Sequence, residues 1–428
     1  MPAASEVVIT GLGIVSPIGI GREAVEEALV AGRSGIGPLP DLAGSDYPVR
    51  IGGLVEQFEP KQYVRPRKAL KVMSREIQMG YAAAMLARDD AGLDVEQLDP
   101  DRFGVVYGAD MFYCPPEELL PVFRRASPEG VFDFRHFGTA AMKELFPLWM
   151  LLYLPNMAAC HIGIALDGRG PNNTISLGEV SALLAIAEAV RVIERDGAET
   201  MIAGGLGNRL SPTPMAYRGV TLLSKRNDDP QCASRPFEKE RDGMVHAEGA
   251  AAIVLERRSA ARRRGAAILA EVLGMASSFG RESGRLGPSR EAIIESIEGT
   301  LAAAECPPEQ VGGIVAHGVG TVEHDRVEAQ AIAAVFGDRC PVTALKSYYG
   351  NSGAACGAMD LVAALVGLQQ GTLPPTRNYD QPDPECPVAV VSPTARPLLH
   401  PNLLVLSQSA TGQAAGLLLR LPETHDTK

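Results

Sequence analysis

Hydrophobic positions along the chain fall into two patterns that recur in the same order. Short apolar runs closed by glycine, "EVVITGLGIVSPIG" (Glu6 to Gly19) and "FGVVYGADM" (Phe103 to Met111), predict buried strands that run into tight turns. "EVSALLAIAEAVRVI" (Glu179 to Ile193) is apolar nearly all round and made of small residues, which predicts a helix buried on every side. "HAEGAAAIVLER" (His246 to Arg257) closes the set with another strand. Each has an echo further on, in "ILAEVLGMASSFG", "VGGIVAHGVGT", "SGAACGAMDLVAALVGL" and "TGQAAGLLLRL". No single echo is strong, but agreement in order predicts a doubled α/β unit. Its halves are residues 1–257 and 258–428, with an unmatched insertion at about residues 107–154. The break falls in "LERRSAARRRGAAI", whose arginines read as a solvated helix face.

At 428 residues the chain exceeds one ordinary hydrophobic core, in keeping with the doubling. The net charge of -11 argues against a nucleic-acid or anionic-membrane binder and leaves room only for local basic patches. Seven scattered cysteines without a C-x-x-C pair suggest a reduced, cytoplasmic chain. No basic, apolar leader precedes the first strand, and the longest apolar run, "FPLWMLLYLP", is too short to span a bilayer. Aromatics concentrate in the insertion, including Phe112, Phe132 and Trp149, where an interface, an acyl-chain wall and core packing all remain open. "HGVGTVEHD" brings His317, His324 and Asp325 close in sequence, yet the spacing matches no standard zinc motif. His324 and Asp325 therefore read as a solvated helix start, and His161 and His246 as structural histidines.

Longer stretches carry a family resemblance. "VVITGLGIVSPIG", "NMAACHIGIALDGRGPNNTIS", "LLSKRNDDPQCASRPFEKERDGMVHAEGAAAIVLE", "AHGVGTVEHDRVEAQAI" and "KSYYGNSGAACGAMDLVAALVGLQQGTLPPTRNYDQPDP" resemble the β-ketoacyl-acyl carrier protein synthases, nearest to the type II fatty-acid and polyketide ketosynthases. The resemblance covers almost the whole chain. It implies the duplicated thiolase-like fold, a five-layered α/β/α/β/α sandwich, and a dimer, formed with a second copy or with an active ketosynthase. It also implies decarboxylative condensation, in which a cysteine at the start of the first buried helix takes the acyl chain and two histidines assist. Helix N-terminal amides favour an anion there, which makes a nucleophilic thiolate. No bound cofactor, metal or flavin is implied. Phosphopantetheine arrives on an acyl carrier protein, and Lys68, Lys71 and Arg75, at roughly helical spacing, with Arg226 near the pocket mouth, are candidates to dock it.

The sequence departs from that family pattern at three places. Aligned by "RGPNNTIS", the nucleophile position falls on Glu179, a far weaker nucleophile than a thiolate. The first histidine is retained as His317, with Glu328 at the family's acidic position and Lys346 at its lysine, an expected buried ion pair. Asn351 takes the place of the second histidine and cannot titrate near neutral pH. The phenylalanine-rich gate is replaced by "LSQSATGQAAG", which puts Ser409 and Thr411 at gate positions, while Tyr217 is a candidate substrate contact. Two functions follow from these departures. One is a non-condensing protein similar to the chain-length factors, which binds carrier protein and shapes an acyl pocket. The other is an enzyme that uses Glu179 and His317 for malonyl-thioester decarboxylation, thioester hydrolysis or acyl transfer.

Overall fold

A computed structural model describes residues 6–280, 287–369 and 371–422. The first half supplies strands β1 (Val7–Ser16), β2 (Phe103–Ala109), β3 (Asn172–Ile175), β4 (Thr200–Asn208) and β5 (Glu248–Arg257). The second supplies β6 (Ala270–Phe279), β7 (Val311–Val315), β8 (Pro341–Thr343), β9 (Ala389–Val390), β10 (Asn402–Gln408) and β11 (Gln413–Arg420). They form one sheet in the order β9-β8-β7-β10-β11-β6-β1-β5-β4-β2-β3. From β1 outward the pairings run antiparallel, antiparallel, parallel, parallel, and from β6 outward they repeat that sequence. The predicted echoes occupy equivalent strands. Pairing of β1 with β6 joins the halves through only two residues of each strand.

The helices complete the layers. Two of them, α5 (Ser181–Glu194) and α9 (Cys356–Leu368), lie between the half-sheets, and every residue of α9 is buried. Their Ala, Leu and Val side chains share one apolar core with β1, β5 and β10. Outside the first half-sheet pack α1 (Arg75–Asp90) and α4 (Met157–Ala165). Outside the second pack α7 (Arg290–Ala303) and α8 (Val322–Phe336). This is the five-layered thiolase-like arrangement implied by the resemblance.

Glycine sets how closely the layers approach. A methyl at Gly108 in β2 would lie 2.5 Å from the Ala182 nitrogen in α5, and one at Gly207 in β4 would lie 2.0 Å from the Ser352 carbonyl oxygen. The starts of both central helices are thereby drawn against the sheet at one point. The insertion forms α2 (Pro116–Arg125) and α3 (Phe134–Glu144), which hold a small core of their own around Val122 and Ala140. Phe112 is buried, whereas Phe132 and Phe134 are exposed and join Phe123 and Phe137 in a ring cluster. The arginine run after β5 is not simply a solvated face. Arg257, Arg258, Arg263 and Arg264 pair with Glu6, Glu271, Glu199 and Glu256, because acidic residues of neighbouring strands and loops end beside them. No helix among the described residues is long and apolar enough to cross a membrane.

Candidate active site

Glu179 sits in the Gly178–Val180 turn that leads into α5, with Gly178 at φ 62°. Its side chain is buried, and it does not point to an empty nucleophile pocket. Arg209, the residue after β4, reaches across to place its Nη2 at 2.5 Å from Glu179 Oε1. Arg209 is itself only 2% exposed. Burial alone would raise the carboxyl pKa, but the adjacent guanidinium outweighs it and holds Glu179 well below the usual carboxylate range. The carboxylate is therefore held ionised by its partner at neutral pH.

The pair continues into a row of charges. Asp110, just beyond β2, accepts from the Ala354 backbone N–H and lies 3.7 Å from Arg218, the last residue of α6 (Pro212–Arg218). Arg218 in turn is lowered by repulsion from Arg209, then by burial. His246 faces the same arginines, and burial together with their charge pushes its imidazole down to about 3. Arg209, Asp110 and Arg218 are the functional candidates that sequence reasoning missed. The one available signal was an arginine and an aspartate, each directly following a glycine-containing buried strand.

His317 follows β7 and is 3% exposed. Its backbone N–H donates to Glu328 Oε1 at 2.7 Å, and its carbonyl accepts from Lys346 Nζ at 2.6 Å. Burial, and then the Lys346 charge, push the imidazole well below its ordinary pKa, so the ring is neutral. The expected Lys346–Glu328 ion pair is not formed. Lys346 pairs with Asp360 of α9, which also accepts from Tyr349, because α9 presents that carboxylate to the ammonium while Glu328 is spent on the His317 and Gly318 amides. Burial raises Glu328 to about 7.

Asn351 is buried beside His246, with which it forms an isolated bridge. Its Oδ1 accepts from the Gly353 amide at 3.0 Å and from the Cys356 thiol at 3.1 Å, and its Nδ2 faces Met244 sulfur at 3.4 Å. The side chain is thus committed to structure. Cys356, at the start of α9, is fully buried and its thiol is raised by that burial, so proximity does not make it a thiolate.

The other residues singled out in the sequence are placed as follows. His324 and Asp325 do not begin a solvated helix: both are buried, since Asp325 accepts from the Phe237, Val319 and Gly320 amides and so ties the loop to α8. His324 lies near enough to Glu179 and His317 for their charges to act on one another. Ser409 and Thr411 occupy the β10–β11 hairpin, where their hydroxyls bond each other and Gln413; Thr411 is exposed. Arg75 is held by a bidentate pair with buried Glu248 at 2.6 Å, and Arg226 pairs with Asp242 at 3.2 Å. Lys68 and Lys71 are exposed on a 3-10 turn, Arg67–Val72, so they share no α-helical face with Arg75. Tyr217 is 74% exposed and lies tilted against Tyr113, with ring centres 5.8 Å apart.

Comparison with known proteins settles the family. A profile described as beta-ketoacyl synthase, N-terminal domain, matches residues 4–261, and one described as its C-terminal domain matches residues 269–380. The chain belongs to the beta-ketoacyl synthase family. One relative, 3-oxoacyl-(acyl-carrier-protein) synthase 2 of Coxiella burnetii, is 34% identical over 397 residues, 91% of this chain and 92% of that protein. The tetracenomycin polyketide synthase ketoacyl synthase alpha subunit of Streptomyces glaucescens is 34% identical over 429 residues, 99% of each. Among solved structures, a beta-ketoacyl synthase from Burkholderia phymatum superposes with TM-score 0.87 at 27% identity, covering 98% of this chain and 100% of that one. The ishigamide ketosynthase/chain length factor gives 0.84 at 27% identity with the same coverage. In this chain the ketosynthase-family fold carries, at the start of its first central helix, a buried ion pair.

Proposed function

We propose that this chain is a non-condensing subunit of fatty-acid or polyketide biosynthesis. It binds an acyl carrier protein and pairs with an active ketosynthase in the manner of a chain-length factor. The observation that carries the reading is the buried Glu179–Arg209 pair at the start of α5, where the resemblance puts the nucleophile. A carboxylate whose pKa is held far below neutrality is a poor proton acceptor, because base strength falls with pKa. As a nucleophile it would give an anhydride, a poor carrier of a growing chain. Neutral His317 and a structurally committed Asn351 leave no paired imidazoles at the two positions the resemblance assigns.

Support for the partners comes from relatives. One solved neighbour at TM-score 0.81 and 26% identity is described as a type II PKS acyl-carrier protein in complex with its ketosynthase, and another as a ketosynthase/chain length factor. Phosphopantetheine would enter on the carrier, and exposed Lys68 and Lys71 offer it a basic face. The seven cysteines are free, as a reduced cytoplasm would keep them. A specific observation favours one other reading: buried His324 brings a second imidazole near Glu179 and His317, which would suit malonyl-thioester decarboxylation.

The test is Glu179→Cys, alone and with Arg209→Ala. We expect no β-ketoacyl product from malonyl and acyl carriers with Glu179→Cys alone, and a hetero-oligomer with a condensing ketosynthase in native mass spectrometry. Full condensation by the single variant would sink the argument from combined loss, and condensation by the unaltered chain would refute the proposal.

A further inference from the structure

Four charged side chains from four separate segments meet beside the start of α5. They are Glu179 from the turn before the helix, Arg209 from the end of β4, Asp110 from the end of β2 and Arg218 from the end of α6. The inner pair is at 2.5 Å and the outer at 3.7 Å. A methyl placed on Gly353 would come within 2.3 Å of Asp110 Oδ2 and 2.9 Å of Arg209 Nε, so the α9 turn is packed directly against both side chains. On its other side the guanidinium lies 3.9 Å from the sulfur of Met244.

We propose that this row is a fixed barrier to long apolar acyl chains, so that the thioesters this subunit accepts are short or polar. The inference rests on the reading of the α5 start as the place from which an acyl chain would extend. An alkyl chain entering there must part Glu179 from Arg209, and each is buried. Separation leaves an unpaired buried charge, which is far costlier than leaving the pair intact. An acyl group too short to reach the pair needs no such separation. Arg209 therefore acts as a specificity residue rather than as a catalytic one.

The test uses the full-length protein, in the oligomeric form in which it is isolated. It measures by calorimetry the binding of acetyl-pantetheine and dodecanoyl-pantetheine as non-hydrolysable amide analogues. Buried methylenes normally strengthen binding about fourfold each. For the wild type we expect dodecanoyl-pantetheine to bind no more tightly than acetyl-pantetheine. In Glu179→Ala/Arg209→Ala, which removes both charges together, dodecanoyl-pantetheine should bind at least about 50-fold more tightly than in the wild type. If that variant does not fold, Glu179→Gln/Arg209→Met neutralises the pair at similar volume and should give a gain in the same direction. Two results overturn the proposal: a wild type that prefers dodecanoyl tenfold or more over acetyl, or a folded neutral variant that gains nothing. Neither result depends on whether the subunit catalyses a reaction or pairs with a ketosynthase, so failure here is distinct from failure of the functional reading.

Discussion

At the scale of single residues, the account turns on charges that are buried but paired. Removing only one partner should be severe. Arg209→Met would leave Glu179 uncompensated and cost about 3–5 kcal/mol, whereas Glu179→Gln/Arg209→Met should recover most of that loss in urea unfolding. His246 gives a second expectation, with a definite sign. Its folded pKa is lowered to about 3 by burial and then by Arg209 and Arg218, so its contribution to stability is complete above the ordinary histidine pKa and is lost as pH falls toward 3. Between pH 7 and pH 5 this one group should remove about 2 kcal/mol. The loss should be absent from His246→Gln, which unfolding curves at the two pH values can check. Glu179, His317 and Asn351 were legible as departures from a motif. Arg209 was not, because a lone arginine outside any motif has no signature until the fold sets it against a carboxylate thirty residues earlier in the chain. His324 was misread for a related reason: its polar neighbours suggest solvent, and only the Asp325 bonds to backbone amides reveal a buried helix start.

Among the elements, close packing of small residues positions the site. Gly207→Ala would drive a methyl into the Ser352 carbonyl at the turn before α9 and should cost about 2–3 kcal/mol. Gly37→Ala, with nothing within 4 Å of the new carbon, should change unfolding by less than about 0.5 kcal/mol. Strand and helix echoes could be read from hydrophobic pattern because strands β1, β5 and β11 and helix α9 are buried on both faces, which leaves a nearly uninterrupted apolar signature. The basic segment around Lys68 was harder. Its three cations keep a helix-like spacing, but a 3-10 turn ends before Arg75 opens α1, and the buried Glu248 claims that arginine. Nothing in local sequence announces a partner 173 residues away.

For the whole molecule, the duplicated sheet brings the starts of α5 and α9 together between its halves, and in this family member the first of those starts is closed by salt-linked side chains. Docking and chemistry are separable on such a scaffold. Charge reversal at the exposed Lys68→Glu/Lys71→Glu should weaken carrier-protein binding about tenfold at low ionic strength and less at high, without altering the unfolding midpoint. Unchanged carrier affinity would place the docking face elsewhere. The central claim is that the Glu179–Arg209 pair makes the site chemically silent. It is tested most directly by the intact mass of malonyl- and acyl-carrier proteins after incubation with this protein alone, against a control without it. The account predicts unchanged masses; loss of carbon dioxide from the malonyl carrier, or of the acyl group, would contradict it.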